Sequence, residues 1–342
     1  MKLALKVDVD TWRGTREGVP RLVELLRREN AGATFLFSLG PDHTGRAIRR
    51  VFRRGFMRKV SRTSVLEHYG LRTLLHGTLL PGPDIGRHCA PQMQAVRDAG
   101  FECGIHTWDH VRWQDGVARA DEAWTRSEMQ RACDRFDEVF GVRARAHGAA
   151  GWQMNVHALR STQRLDFGYS SDTRGTHPFL PVYNGELIAC PQIPTTLPTL
   201  DELIGWDGIT ADNVADRLLA LTAVPPPASG HVYTLHAELE GQKLLPAFQR
   251  LIAGWRAQGY ELLSIRDYCD GLELERLPHH ELVFGEVPGR SGELALQGPA
   301  FLSPAAPPPE YRWTRDRAVI SQHIRPDTAA APAAPVSDPS HS

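Results

Sequence analysis

Two acids, Asp8 and Asp10, close the alternating run Leu3-Ala4-Leu5-Lys6-Val7-Asp8-Val9-Asp10. Read as a strand, this run puts Leu3, Leu5, Val7 and Val9 on one face and Ala4, Lys6, Asp8 and Asp10 on the other. Both carboxylates then point the same way, roughly 7 Å apart along the strand. They sit at its C-terminal end, where parallel α/β folds build their sites. Like charges so placed repel unless a cation or a division of roles separates them. A second string, Gly104-Ile105-His106-Thr107-Trp108-Asp109-His110, also ends an apolar strand. Histidines at i and i+4 converge on one ion where the chain turns helically. Asp10, His106 and His110 make a two-histidine, one-carboxylate set with a position left for water, the usual composition of a hydrolytic metal site.

Two further strand ends carry ionisable groups. Val232-Tyr233-Thr234-Leu235-His236 aims a histidine at the site from a late strand, and Tyr169-Ser170-Ser171-Asp172-Thr173-Arg174-Gly175 offers another acid. Each motif alone also has a plain structural reading: a solvated strand end for the acid pair, an incidental histidine pair, a structural histidine, a turn or helix-cap Asp172. Their joint occurrence, each behind an apolar strand, favours the metal site.

The elements that must position these groups alternate. Strands are expected over 3–10, 33–39, 101–106, 144–148, 168–171, 187–192, 232–236 and 260–264. Helices are expected after Pro20 and over 91–99, 123–140, 213–223 and 243–258. Such alternation points to parallel strands with crossover helices, in a barrel or a doubly wound sheet. Residues 41–89 are too long for a simple connection and read as an insertion. Residues 272–342 read as a Pro/Ala-rich extension, disordered towards its end. The chain shows no internal repeat.

The 39 Lys and Arg residues nearly balance 40 Asp and Glu, so bulk charge predicts no nucleic-acid partner. The five cysteines (Cys89, Cys103, Cys133, Cys190 and Cys269) never form a Cys-x-x-Cys pair and suit a reducing compartment. The N-terminus runs straight into strand pattern without a secretory leader, and no run of ~18 apolar residues spans a bilayer. A cytoplasmic, peripherally membrane-associated protein is the expectation.

The ordered set Asp8-Val9-Asp10, His106-x-x-x-His110, Ser171-Asp172-Thr173-x-Gly175 and Leu235-His236 resembles the polysaccharide-deacetylase (NodB-homology) family. Wider strings are more specific: Asp8 to Pro20, Ala149-Ala150-Gly151-Trp152, Gln192-Ile193-Pro194-Thr195-Thr196-Leu197-Pro198-Thr199 and His236-Ala237-Glu238-Leu239-Glu240-Gly241. They resemble the branch that removes the N-formyl group from a 4-amino-arabinose carried on undecaprenyl phosphate, a step of lipid A modification. The resemblance covers residues 1–271. It implies a distorted (β/α) barrel and one divalent cation (zinc, cobalt or manganese) on Asp10, His106 and His110. It further implies Asp8 as general base, His236 as the acid that protonates the departing nitrogen, and Asp172 as the group orienting His236. A backbone N–H near Trp152 would help hold the oxyanion. Trp12, Arg13, Trp152, Glu238 and Glu240 are candidates for reading the sugar. One departure stands out: the arginine that tunes the base in many members has no clear counterpart in Arg145-Ala146-His147-Gly148-Ala149-Ala150-Gly151-Trp152, and neither Arg143 nor Arg145 has settled spacing.

Within the insertion, Arg46, Arg50, Arg54 and Arg58 form an i, i+4 row joined by Arg49, Arg53, Lys59 and Arg62, with no acid between Arg46 and Arg62. Ile48, Val51, Phe52, Phe56 and Val60 follow helical spacing on another face. This pattern suits a basic helix lying on an anionic membrane, each cation worth ~1 kcal/mol there. It also suits core packing with a solvated basic face; a polyprenyl-phosphate substrate favours the membrane. His43, His68, His76, His88, His147, His177, His279 and His280 read as structural or surface residues. Competing functions are an N-deacetylase of peptidoglycan or chitin-like glycan, and a non-catalytic glycolipid binder. The missing export signal and basic insertion oppose the first, the full set of catalytic ionisable groups the second.

Overall fold

The computed structural model describes residues 1–46, 76–78 and 80–302. Strand β1 (Lys2–Val9) leads through a π-helical turn, Gly14–Gly18, into α1 (Val19–Arg28) and β2 (Thr34–Ser38). After the insertion come α2 (Ile85–His88), α3 (Ala90–Asp98), β3 (Glu102–Thr107), α4 (His110–Gly116), α5 (Glu122–Phe140) and β4 (Ala146–His147). Next are α6 (Val156–Arg164), β5 (Tyr169–Ser170), β6 (Leu180–Tyr183), β7 (Glu186–Leu187), α7 (Leu200–Leu203) and α8 (Val214–Thr222). The chain continues with β8 (His231–His236), α9 (Leu245–Ala257), β9 (Glu261–Leu263), α10 (Ile265–Cys269), β10 (His279–Gly285) and β11 (Leu294–Ala300).

A parallel sheet in the order β5-β4-β3-β2-β1-β8, with β9 also on β1, curls into a half-barrel. The expected distorted barrel is therefore observed, open between β5 and β8. Residues 191–196 cross that opening: Ile193 N–H donates to Ser170 O (2.7 Å) and Thr196 N–H to Val232 O (3.0 Å). The period-2 alternation of β1 explains the two packing layers. Leu3, Leu5, Val7 and Val9 face outward into the core shared with α1, α3 and α9, where Leu22, Met93 and Phe248 meet them. Ala4 faces inward with Leu36, Ala146 and Val232, and by strand parity Lys6 and Asp8 share that inner face. Along β8 the partner of Ala4 is Val232, of Lys6 Thr234 and of Asp8 His236.

Two expectations need correction. The domain does not end near Gly271: β10 and β11 pair antiparallel, and β10 runs parallel to β6 in a second sheet ordered β11-β10-β6-β7. Its inner residues Val287 and Leu294 pack on Trp152, so apolar burial holds this hairpin to the barrel. Of the expected strand over 187–192, only Leu187 lies in β7, and Pro191 and Gln192 begin the crossing segment. The basic row from Arg46 to Arg62 lies outside the described residues except Arg46, whose Nε donates to Gly77 O (2.9 Å). Residues 303–342 also lie outside them.

Candidate active site

Asp10 leaves the end of β1, and His106 and His110 flank the step from β3 to α4. The register of β3 against β2 runs Phe37 with Ile105 and then Ser38 with Thr107, so His106 is the extra residue of a bulge. Bulges re-aim side chains beside active sites. Here it coincides with His106 Nδ1 bonding to Gly148 O at 2.7 Å, which leaves Nε2 for the site. Asp109 caps α4, its carboxylate accepting from Arg112 N–H (3.0 Å), and so starts the helix on which His110 sits.

Asp10 Oδ1 lies 3.2 Å from His106 Nε2, and Oδ2 lies 3.5 Å from His110 Nε2. Tetrahedral ligands at the usual zinc distances are about 3.4 Å apart, which matches. All three donors fall within 4.8 Å of one another. Asp8 Oδ1 and Asp10 Oδ1 are buried without a hydrogen bond, and such acceptors are costly unless a cation or substrate proton meets them. The residues present therefore fit a divalent cation. Burial opposes the charge on Asp10, but the imidazoles of His110 and His106 outweigh it and hold the carboxyl below its usual range. Burial likewise opposes a proton on His106, and Asp8 with Asp10 outweighs that too, raising its pKa.

The strand end itself is fixed by Glu238. Its Oε1 accepts from Asp10 N–H (3.1 Å), Thr11 N–H (2.8 Å) and Thr11 Oγ1 (2.8 Å). A Cβ on Gly14 would collide with that carboxylate, so the turn after the strand needs a glycine here. Asp8, 2% exposed, has Lys6 Nζ 3.4 Å from Oδ2 and His106 Nδ1 3.8 Å from Oδ1. Lys6 is fully buried and donates to Ser171 O (2.9 Å). Burial lowers its pKa, against Asp8 and Asp172, which raise it. His236 stands opposite Asp8, with its Nδ1 buried and lacking a hydrogen bond.

The structure thus gathers Asp8, Asp10, His106, His110 and His236, and it moves other expected residues elsewhere. Asp172 is not beside His236. Its Oδ1 accepts from His147 Nδ1 and Ala149 N–H, both at 2.8 Å, and Oδ2 from Gln192 Nε2 at 3.2 Å. His147, expected as structural or surface, is buried in this network. Asp201 lies near the His236 imidazole, with Oδ1 3.9 Å from Nδ1. Trp152 is 1% exposed, its Nε1 donates to Thr195 Oγ1 (3.1 Å) and its backbone N–H donates to Ala149 O (3.0 Å). It neither stacks on a sugar nor offers that N–H to an oxyanion. Glu238 and Glu240 are buried too. Glu238 builds the strand end, and Glu240 accepts from His236 N–H (2.9 Å) and Tyr233 Oη (3.1 Å). Burial pushes the Glu240 carboxyl up to about 7 and that of Glu238 well above its usual range. Trp12 and Arg13 are half-buried just after Asp10: Trp12 N–H donates to Asp42 Oδ2 (3.0 Å), and Arg13 Nε to Glu17 (2.9 Å).

The cation 3.4 Å from Asp8 is Lys6, not Arg143 or Arg145. Arg145 instead pairs at the surface with Asp166 (2.6 Å), and Arg143 is exposed. Strand parity already put Lys6 on the face of Asp8. Asp201 carried a weaker signal: Thr199 and Glu202 form a capping box that marks a helix start there.

A family model described as polysaccharide deacetylase matches residues 3–170. Over 296 residues the chain is 37% identical to a Shewanella sediminis protein named as a probable 4-deoxy-4-formamido-L-arabinose-phosphoundecaprenol deformylase, ArnD, with 86% of this chain and 94% of that one covered. The chain belongs to the polysaccharide deacetylase family. A protein of the same name from Wigglesworthia glossinidia brevipalpis is 30% identical over 285 residues, 83% of this chain and 98% of its own. Among solved structures, a Mycobacterium smegmatis protein under the polysaccharide deacetylase description superposes with a TM-score of 0.56 at 16% identity, covering 83% of this chain and 95% of that one. That likeness concerns the fold. As a polysaccharide deacetylase, the chain is a hydrolase of amide C–N bonds in a family that is generally metal-dependent.

Proposed function

We propose that this chain removes the formyl group of 4-deoxy-4-formamido-L-arabinose linked to undecaprenyl phosphate, releasing formate and the 4-amino sugar for lipid A modification. The observation that carries the reading is the cluster of Asp10, His106 and His110 beside an unpartnered Asp8 oxygen. The names of the two relatives that match over most of their length support the substrate. Asp10, His106 and His110 would hold one divalent ion; the donor set accepts zinc, cobalt or manganese. Bound there, the ion would polarise the formyl carbonyl and lower the pKa of water to about 7.

Asp8 takes the proton of the attacking water, whose oxygen bonds to the formyl carbon. The C–N bond then breaks as His236 gives a proton to the nitrogen, without which an amine is a poor leaving group. Lys6 Nζ, 3.4 Å from Asp8 Oδ2, holds Asp8 in place. Trp12 and Arg13, which follow Asp10 in the chain, are the residues assigned in this reading to the sugar. The test is formate release by the metal-loaded protein from the undecaprenyl-phosphate-linked formamido-arabinose, with an N-acetylglucosamine oligomer as comparator. Metal-dependent formate without acetate is expected; acetate from the oligomer and no formate would overturn the substrate.

No helix among the described residues is long and apolar enough to cross a membrane. A lipid-linked substrate requires the site to reach a bilayer, and we assign that contact to the basic row from Arg46 to Arg62, on the cytoplasmic face of the inner membrane. The protein should then sediment with vesicles containing anionic lipid and leave them as salt rises, since screening shortens the reach of such charges to about 8 Å at physiological ionic strength. Equal binding to neutral vesicles would remove this role.

A further inference from the structure

The C-terminal hairpin reaches the His236 side of the site. Its turn is Val287-Pro288-Gly289-Arg290, closed by Arg290 N–H donating to Val287 O (3.0 Å), with Gly289 at φ 87°. Pro followed by Gly is the sequence a type II turn requires, because its third position is left-handed. The turn delivers Arg290 onto α7. Arg290 lies 4.8 Å over the Trp152 ring. Its Nε donates to Glu202 Oε1 (2.6 Å) and its Nη2 to Thr199 Oγ1 (2.6 Å). Both terminal nitrogens lie 3.2 Å from Asp201, Nη1 from Oδ2 and Nη2 from Oδ1. A forked contact of this kind fixes orientation as well as charge. Asp201 Oδ1 also accepts from Thr199 Oγ1 (2.6 Å), and it is the atom 3.9 Å from the unpartnered His236 Nδ1.

We propose that Arg290 and Asp201 form a relay that positions His236, which makes the hairpin of β10 and β11 part of the catalytic apparatus. Arg290 holds the carboxylate, Asp201 accepts a hydrogen bond from Nδ1–H, which stays on the ring, and the proton on Nε2 is left to face the substrate nitrogen. Asp201 and Arg290 are positioning residues, acting through a histidine they never replace. The separation of 3.9 Å is longer than a hydrogen bond, and catalytic hydrogen bonds that are long without substrate tighten in the reacting complex. The relay rests on the reading of His236 as the proton donor.

The test uses the full, metal-loaded chain and formate release, with Asp201→Asn, Arg290→Gln, His236→Asn and the double variant Asp201→Asn/His236→Asn. Asp201→Asn should lower kcat about 10- to 100-fold with KM little changed, as loss of an orienting partner does. Arg290→Gln should act in the same direction by about threefold to tenfold, since Asp201 keeps its Thr199 contact. Residues acting as a unit are not additive, so the double variant should be no slower than His236→Asn alone. Metal content serves as the control for an intact site. Losses that multiply in the double variant, or full kcat in Asp201→Asn, would overturn the relay while leaving His236 as the acid. Full turnover in His236→Asn would overturn the acid assignment itself and the relay with it. Should Asp201→Asn not fold, Arg290→Gln carries the same comparison in the His236→Asn background, because Arg174 still holds Glu202 at 2.6 Å.

Discussion

Asp8→Asn should lose about 10²- to 10⁴-fold in turnover, the span of a missing general base, while still binding one equivalent of metal. The substitution preserves shape and removes only the capacity to take a proton. Asp8 is suited to that task by what surrounds it. It is buried on the inner face of β1, one oxygen meets Lys6 at 3.4 Å, and the other has no hydrogen bond. Asp10, two residues on, lies against both histidines, which leaves Asp8 outside the proposed ligand set. Replacing it leaves Lys6 buried beside a neutral amide, which costs stability because a buried charge has lost its partner. The melting temperature should therefore be measured beside metal content and formate release. A variant that folds, holds metal and turns over normally would exclude Asp8 as the base. One that loses metal would place Asp8 among the ligands instead.

His106→Ala should abolish both metal binding at stoichiometric ion and turnover, by at least about a hundredfold in affinity, since even partners behind a ligand are worth 10- to 100-fold. His106 is held at both ring nitrogens. The bulge in β3 turns it, Gly148 O holds its Nδ1 at 2.7 Å, and its Nε2 faces Asp10 at 3.2 Å. Truncation also strands the Gly148 carbonyl in the interior, a cost of about 1–3 kcal/mol. Metal analysis after gel filtration separates the two effects: a folded variant without ion has lost the site, and an unfolded one has lost the frame. Retention of a full equivalent of metal with unchanged turnover would show that the ligand set is wrong.

Much of this site was legible before the fold was seen. Alternation in β1 put Lys6, Asp8 and Asp10 on one face, and the spacing of His106 and His110 across a strand-to-helix step brought both imidazoles to one point. Those signals are local, and local periodicity is what a sequence displays. The partner of His236 was not legible. Asp172 stands at a strand end like the other functional acids, yet it lies against His147. Asp201, in a short helix 35 residues before His236, was indistinguishable from any capping residue. The hairpin of β10 and β11 was hidden for a different reason. Its second strand, Leu294–Ala300, contains Gly298 and Pro299, and a Pro-rich stretch follows. Both are breakers when read locally, although an edge strand tolerates them. Trp152 misled through its chemistry, since a tryptophan near a sugar site suggests stacking; here its faces are occupied by Lys6, Arg174 and Arg290.

The carboxylate of Glu238 accepts three donors from the end of β1, and Gly148 O orients His106, all through bonds made wholly within the protein. The frame is thus assembled from the chain alone, unlike small domains whose folding energy comes from the ion itself. A socket preorganised in this way should accept one cation in place of another. One metal should be exchangeable for another in the folded state without unravelling the strand, so the ion a cell supplies can set the chemistry while the scaffold stays the same.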